Sequence, residues 1–283
     1  MLEHPCELFF GVSRVETRFV DDLGNIRTGA GSGFWIHLSS GRNGFVTNRH
    51  NVDPTIKFGP DTKLRLDSTS LLLRKRTAKG GQFEYHPETK FFRLTDKSQI
   101  AALHNADCAI IIPDFEQPIN GFEPLVPFEQ SDLADRAYFQ EKLLPAHECY
   151  FIGFAGRPGD ALAGTKGIFW WDTKWNLPIA RPAFIASIPF MPFRNEGISL
   201  EDAMLVSGMS FEGASGSPLI SNQIGLKMSP PLHCESYSPQ KIIGIIAGHW
   251  WADRDSIDIF KHSGLSHFTP STAILHLIQT NGI

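Results

Sequence analysis

A short glycine-rich run around Ser215 is the part of this sequence best suited to chemistry. The run Gly213-Ala-Ser-Gly-Ser-Pro218 places Ser215 between two glycines, just before the apolar residues of a predicted strand. A serine hydroxyl acts as a nucleophile where a tight turn presents it beside free backbone N–H groups. Gly213 permits such a turn, and Gly216 leaves room for a substrate backbone alongside. Taken alone, the run fits an activated serine and a plain structural turn equally well.

Two other segments supply the groups that would activate this serine. His50 lies where a short apolar strand, Phe45-Val46, gives way to a polar turn, and Asp107 lies directly before a run of small and apolar residues. That run is typical of a buried strand, so a carboxylate at its mouth is partly desolvated and needs a partner, such as an imidazole. The three side chains together predict acyl transfer, in which Asp107 orients His50 and His50 takes the proton of Ser215.

The order of the three residues and the segments around them carry a resemblance. The order His50, Asp107, Ser215 is that of chymotrypsin-like proteases, whereas subtilisin-like enzymes and α/β-hydrolases have different orders. The chain resembles the chymotrypsin/trypsin-fold serine endopeptidases of the bacterial trypsin-like type, from about Val12 to Ile278. The segments that carry the resemblance are Gly31–Ile36, Gly44–His50, Ala106–Ile111, Phe151–Phe154, Ile242–Gly248 and Pro270–Ile278.

This resemblance implies an all-β fold of two six-stranded antiparallel β-barrels followed by a C-terminal α-helix. Residues 1–125 would form an N-terminal barrel with His50 and Asp107, with a linker from about 113. Residues 126–283 would form a connector, which has a modest helical pattern over 131–142, a C-terminal barrel with Ser215, and the closing helix. The 25 glycines and 19 prolines between short apolar runs independently favour an all-β fold.

The resemblance also implies an oxyanion hole and a substrate pocket. The N–H groups of Gly213 and Ser215 would form the oxyanion hole, and the predicted substrate-binding residues are Met209, Ser210, Ala247, Gly248 and His249. Met209 at the pocket base favours a medium apolar or small side chain before the scissile bond. His249 could instead bind an acidic or amide side chain. A basic preference would require one of three carboxylates to fold into the pocket, namely Asp253, Asp255 or Asp258.

Two residues depart from the family pattern. Ala214 precedes the serine where activated secreted enzymes have an aspartate that pairs with a new N-terminus. The enzyme is therefore either constitutively competent or switched by an activating partner or a loop rearrangement. Ala247 has no hydroxyl where many relatives place a serine that bonds the catalytic aspartate. Support for Asp107 must therefore come from the backbone or from another side chain.

Composition excludes several other classes of function. The net charge of −4 does not fit a nucleic-acid-binding protein, and no apolar run reaches the ~20 residues of a membrane span. The four cysteines and eleven histidines are scattered, so the sequence predicts no metal site and no cofactor. None of the cysteines lies near His50. Together with an N-terminus that does not resemble a signal peptide, this predicts a reduced, cytoplasmic protein.

Three functions fit these residues. The first is a serine endopeptidase that cleaves a protein or peptide substrate through an acyl-enzyme. The second is a catalytically silent binding module that uses the cleft of a protease fold. The third is an acyl hydrolase of non-peptide esters, which would share the chemistry but need a different pocket. The presence of all three triad residues favours the endopeptidase.

Overall fold

The chain is mostly β-structure with few helices, as predicted, and its architecture is consistent with a chymotrypsin-like fold. The computed structural model describes residues 5–79, 82–114, 121–157, 167–189, 191, 193–195, 198–200, 203–225, 237–251 and 262–283. Residues 115–120 of the predicted linker lie outside the described residues, as do Asp253, Asp255 and Asp258. The N-terminal half forms one sheet, and the C-terminal half forms a closed barrel.

The N-terminal sheet has nine strands, ordered β5-β4-β1-β2-β3-β7-β6, with β8 paired to β4 and β9 to β2. It differs from the predicted six-stranded barrel because β4 and β5 form a long hairpin and because two-residue strands join the sheet. The strands are β1 (Val12–Val20), β2 (Ile26–His37), β3 (Asn43–Thr47), β4 (Arg65–Lys79), β5 (Gln82–Leu94), β6 (Ile100–Ala102), β7 (Ala109–Ile111), β8 (Phe122–Glu123) and β9 (Phe128–Glu129).

The C-terminal half contains a closed six-stranded barrel, ordered β10-β13-β16-β19-β18-β17, as predicted. Two small hairpins, β11–β12 and β14–β15, lie outside it. The strands of this half are β10 (Glu148–Gly153), β11 (Gly156–Arg157), β12 (Ile168–Phe169), β13 (Ile179–Ile185), β14 (Phe193–Asn195), β15 (Ile198–Leu200), β16 (Met204–Ser207), β17 (Pro218–Ser221), β18 (Ile242–Trp251) and β19 (His262–Pro270).

The helices are short, and several have identifiable start and stop signals. At α2, the Asp53 side chain accepts the N–H of Thr55 and Pro54 stands at the first turn, a combination that begins a helix. The predicted connector helix over 131–142 is a 3₁₀ turn, Gln130–Asp132, followed by α3. No helix in the described part of the chain is both long and apolar enough to cross a membrane. The α-helices are α1 (Pro5–Gly11), α2 (Pro54–Phe58), α3 (Arg136–Glu141) and α4 (Ser271–Asn281).

One hydrophobic core joins the two halves. Phe34 and Ile110 from the N-terminal sheet pack in the same buried cluster as Ile152 and Ile245 from the barrel. The closing helix α4 contributes to this cluster through three side chains at helical spacing, Ile274, Leu277 and Ile278. The two halves are therefore held together by shared apolar burial as well as by the covalent chain.

The position of α4 generates a stability prediction. Leu277 is fully buried in the shared core, so Leu277→Ala leaves a cavity at the junction of the two halves. We expect the free energy of unfolding to fall by about 2–5 kcal/mol. The neighbouring His276 is exposed, and His276→Ala should change it by less than about 0.5 kcal/mol. Urea unfolding followed by tryptophan fluorescence measures both, and equal stabilities would contradict the packing of α4.

Candidate active site

His50 and Asp107 are held together by two hydrogen bonds. The chain leaves β3 at Thr47 and enters a 3₁₀ turn, Arg49–Asn51, which carries His50 towards the loop before β7. The backbone N–H of His50 donates to Oδ1 of Asp107 at 2.9 Å, and Nδ1 lies 2.7 Å from Oδ2. Because a carboxylate only accepts hydrogen bonds, this contact places the ring proton on Nδ1. Nε2 is then free to accept a proton from a neighbouring hydroxyl.

The pair also keeps Asp107 ionised. Burial alone raises the pKa of Asp107, but the hydrogen bonds and the charge of His50 outweigh that effect. The pKa of the carboxyl is therefore held below its ordinary value of 3.8. An ionised Asp107 can fix the orientation of the imidazole and stabilise it when it becomes protonated.

The missing hydroxyl at Ala247 is compensated by other residues. The Nδ2 group of Asn48 donates to the Asp107 carbonyl at 2.9 Å, and the Thr269 hydroxyl donates to the same oxygen at 3.3 Å. These contacts fix the backbone of Asp107, and the backbone N–H of His50 supports its carboxylate. Sequence reasoning missed Asn48 and Thr269. Asn48 stands two residues before His50, which was a usable signal, whereas Thr269 is distant in sequence.

Arg49 connects the histidine turn to the aspartate loop. Its Nη1 donates to the carbonyls of Leu103 and His104 at 3.0 and 2.9 Å, and its Nη2 lies 2.7 Å from Oδ2 of Asp53. The two carbonyls belong to the loop that leads into Asp107. One side chain next to His50 therefore fixes both segments, which limits their relative movement. Sequence reasoning also did not identify Arg49 as part of the site.

Ser215 lies in a turn whose glycines are required by close backbone contacts. Gly213 has φ of +83°, and a Cβ there would lie 2.4 Å from the carbonyl oxygen of Phe154. Gly216 has φ of +91°, and a Cβ there would lie 2.0 Å from the carbonyl oxygen of Ser32. The Ser215 hydroxyl donates weakly to the Ala247 carbonyl at 3.4 Å. Among the described contacts, no hydrogen bond joins this hydroxyl to His50.

The serine turn presents two backbone donors without protein acceptors. Within the described residues, the N–H groups of Gly213 and Ser215 donate to no protein atom, whereas those of Ala214 and Gly216 bond Phe211 and Ile246. The carbonyl of Gly213 is turned the other way, because it accepts the Ser32 hydroxyl at 2.7 Å. Two free donors beside a serine hydroxyl can stabilise an oxyanion formed there.

A polar network ties this turn to the segment that carries His50. The carbonyl of Ser215 accepts the backbone N–H of Ser32 at 2.8 Å and Nδ2 of Asn51 at 3.2 Å. Asn51 also donates to Thr47 at 2.9 Å, and Thr47 donates to the carbonyl of Ser32 at 2.7 Å. The serine turn and the histidine turn thus share their hydrogen-bond partners across the junction of the two halves.

The five predicted pocket residues lie near the serine turn but differ in exposure. Ser210 is buried, and its hydroxyl lies 3.4 Å from the Gly248 carbonyl, so these two are brought together. Ala247 contacts the Ser215 hydroxyl through its carbonyl, and His249 is half-buried on β18. Met209, predicted to lie at the pocket base, is 49% exposed. In the described part of the chain, no group of three or more histidine, cysteine or carboxylate side chains could hold a metal ion.

Comparison with solved structures finds proteins of similar fold at low sequence identity. No family model and no curated protein matches the chain. Its architecture is similar to the crystal structure of Deg5, with 14% identity, 96% of this chain and 88% of that chain covered, and a TM-score of 0.46. An HtrA-type protease, AlgW, with a decapeptide has 13% identity, coverage of 97% and 65%, and a TM-score of 0.47. Catalytically inactive tobacco etch virus protease complexed with substrate has 11% identity, coverage of 98% and 87%, and a TM-score of 0.44.

The histidines near the pocket predict a pH-dependent stability. Burial, and then the charges of His262 and His267, lower the pKa of His249 from 6.5 to about 4 in the folded protein. The unfolded chain therefore binds this proton more tightly, and the free energy of unfolding should decrease as pH falls from about 6.5 to about 4. Replacing His249 by glutamine should make that decrease shallower, measured by urea unfolding at a series of pH values. His276→Gln, at an exposed position, should leave the slope unchanged; equal slopes in both variants would contradict this burial effect.

Proposed function

We propose that this protein is a serine endopeptidase that cleaves a protein or peptide substrate. The observation that carries the proposal is the pairing of His50 with Asp107 next to a serine turn that has two unpaired N–H donors. Nucleophile, base, orienting carboxylate and oxyanion donors are the parts that acyl transfer to serine requires. The proposal extends to a reduced, cytoplasmic protein, which the free thiols of Cys108 and Cys149 support.

The proposed reaction proceeds through an acyl-enzyme. Oγ of Ser215 attacks the substrate carbonyl carbon while Nε2 of His50 accepts the hydroxyl proton. The carbonyl oxygen becomes an oxyanion and accepts the N–H groups of Gly213 and Ser215. His50 then gives its proton to the leaving amine as the peptide C–N bond breaks, and Asp107 stabilises the imidazolium throughout. Water, deprotonated by His50, hydrolyses the ester and regenerates Ser215.

The surroundings of the serine turn favour an extended substrate. A cleft of about 450 Å³ opens beside Gly213 and is lined by strands β1 and β2 together with Trp171. Such a cleft offers room for substrate residues on one side of the serine turn, beyond the reacting carbonyl, which a small ester does not need. A non-peptide acyl hydrolase therefore fits the site less well than an endopeptidase does.

A binding module is the second candidate, and a specific contact favours it. The Ser215 hydroxyl bonds the Ala247 carbonyl at 3.4 Å and not His50, so the resting geometry is not yet that of an activated serine. Rotation of the serine side chain on substrate binding, or a rearrangement caused by an activating partner, would be needed to form that bond. Reactivity of Ser215 in the free protein distinguishes an enzyme from a silent cleft.

Labelling with a fluorophosphonate probe tests the proposal directly. We expect the probe to attach to Ser215 in the wild type and to be lost in Ser215→Ala and His50→Ala. In Asp107→Asn, labelling and peptide hydrolysis should fall by roughly 10⁴-fold, because the imidazole loses its orienting acceptor. Mass spectrometry of the labelled peptide identifies the modified residue.

Ser217→Ala is the matched control for this experiment. Ser217 lies in the same turn and its hydroxyl is buried, so this variant should be labelled like the wild type. A folded wild-type protein that resists the probe, with and without cell extract as a source of activating partner, would favour the binding module. Labelling that survives in Ser215→Ala would place the reactive group elsewhere.

A further inference from the structure

Three side chains of basic type lie together beside the serine turn. The rings of His249 and His262 are stacked, with centroids 5.0 Å apart and an interplanar angle of 24°. The centroids of the Phe211 and His262 rings lie 5.8 Å apart. The guanidinium of Arg181 lies over the Phe211 ring, 4.8 Å from its centroid. Phe211 belongs to the turn that leads to Ser215, so the cluster adjoins the proposed nucleophile.

The positive charge of Arg181 is not neutralised by any described carboxylate. Its Nη1 donates to the backbone carbonyl of Met209 at 3.1 Å, and its Nε is buried without a partner among the described residues. Burial lowers the pKa of this guanidinium, which is the electrostatic cost of an uncompensated charge. A group of opposite charge would therefore be stabilised at this position.

The surroundings of the cluster lower the pKa of both histidines. Burial lowers the pKa of His262, and the charge of Arg181 lowers it further, although the nearby Ser210 backbone acts in the opposite direction. Nδ1 of His262 accepts the N–H of Gly264, and Nε2 is buried with no hydrogen bond of ordinary geometry among the described residues, although the Ser210 backbone lies close enough to affect the ring. Both rings are neutral near pH 7 chiefly because burial disfavours their charged forms, and a bound anion would stabilise those charged forms.

Hydroxyl groups complete a polar floor next to the cluster. Ser210 and Ser266 are both buried, and their hydroxyls lie 2.8 Å apart. Ser266 donates to the carbonyl of Gly208 at 2.7 Å and accepts the N–H of Ser210 at 3.2 Å. Besides the Ser266 hydroxyl, the Ser210 hydroxyl has one longer contact, 3.4 Å, with the Gly248 carbonyl. A carboxylate beside Ser210 would be a stronger acceptor for its proton than either of these neutral oxygens.

We propose that Arg181, His249, His262 and Ser210 form a subsite for an acidic side chain of the substrate, next to the bond that Ser215 cleaves. This inference rests on the proposed endopeptidase function and specifies its substrate class. The carboxylate would accept hydrogen bonds from the imidazoles and the Ser210 hydroxyl, with Arg181 providing the balancing charge. Met209 is 49% exposed and its carbonyl accepts Arg181, so a preference for an apolar side chain at this position is the alternative that the peptide series below distinguishes.

A carboxylate fits this cluster better than an amide does. A neutral amide could bond the imidazoles and the hydroxyl, but it would leave the charge of Arg181 uncompensated. A lysine or arginine side chain would be repelled by Arg181. The charge of Arg181 should therefore favour an acidic side chain, leave an amide unaffected and repel a basic one. Arg181 is for that reason the residue to replace.

The experiment compares fluorogenic peptide amides that differ only in the residue before the scissile bond, with Glu, Gln, Leu or Lys at that position. We expect kcat/KM for the Glu peptide to exceed that for the Gln peptide by about 10- to 100-fold, the range for charge-assisted hydrogen bonds. The Glu-to-Gln ratio should fall to about 1 in Arg181→Met, which retains an unbranched side chain over Phe211. Arg136→Met, at an exposed position on α3, should keep the wild-type ratio.

A binding measurement separates failure of this inference from failure of the proposed function. In Ser215→Ala, the Glu peptide should raise the pKa of His249 and His262 in histidine ¹H NMR titrations, whereas the Gln peptide should not. This holds even if the wild type is not a working protease. Absence of that pKa change, or a wild-type enzyme that labels with fluorophosphonate but prefers Leu, Gln or Lys, would overturn the acidic subsite.

Discussion

The carbonyl oxygen of Ser215 is the acceptor on which the candidate site depends. It receives a backbone N–H from β2 and the side-chain amide of Asn51, so one atom of the serine turn is held by two donors from the N-terminal half. Because Asn51 follows His50 directly, the same contact fixes the serine turn relative to the imidazole. Loss of this acceptor position would separate the proposed nucleophile from its base without changing either residue. The shared core below the site keeps the donors and the acceptor in register.

Local sequence signals were sufficient for the main outline. The closed C-terminal barrel and the closing helix were implied by the resemblance that short motifs carry, and the contact between His50 and Asp107 was predicted from polar residues at strand ends. The nine strands of the N-terminal sheet could not be counted in advance, because two-residue strands such as β8 and β9 carry no periodic pattern. Their pairing depends on which long strands pass nearby.

Residues that support the site were harder to predict than residues that would perform the chemistry. Thr269 reaches the Asp107 carbonyl from β19, at the other end of the chain, and Arg49 reaches carbonyls of a distant loop. Such contacts depend on topology and not on spacing along the sequence. The pocket shows the same limit, because the sequence predicts Met209 only as an apolar pocket residue, whereas its backbone carbonyl accepts a hydrogen bond from Arg181 on a distant strand. Partners of long polar side chains become visible only once the strands are paired.

Two buried thiols give the molecule internal reporters of its own opening. Cys108 follows Asp107 directly and belongs to the core shared by both halves, whereas Cys149 lies in the separate core of the barrel. Burial raises the pKa of both thiols, that of Cys149 to about 12, so neither is a reactive thiolate while its core is closed. The rate at which a thiol reagent modifies Cys108 therefore measures how often the junction beneath the site separates. The corresponding rate at Cys149 measures opening of the barrel core, so the junction and the barrel can be followed separately in the unmodified sequence.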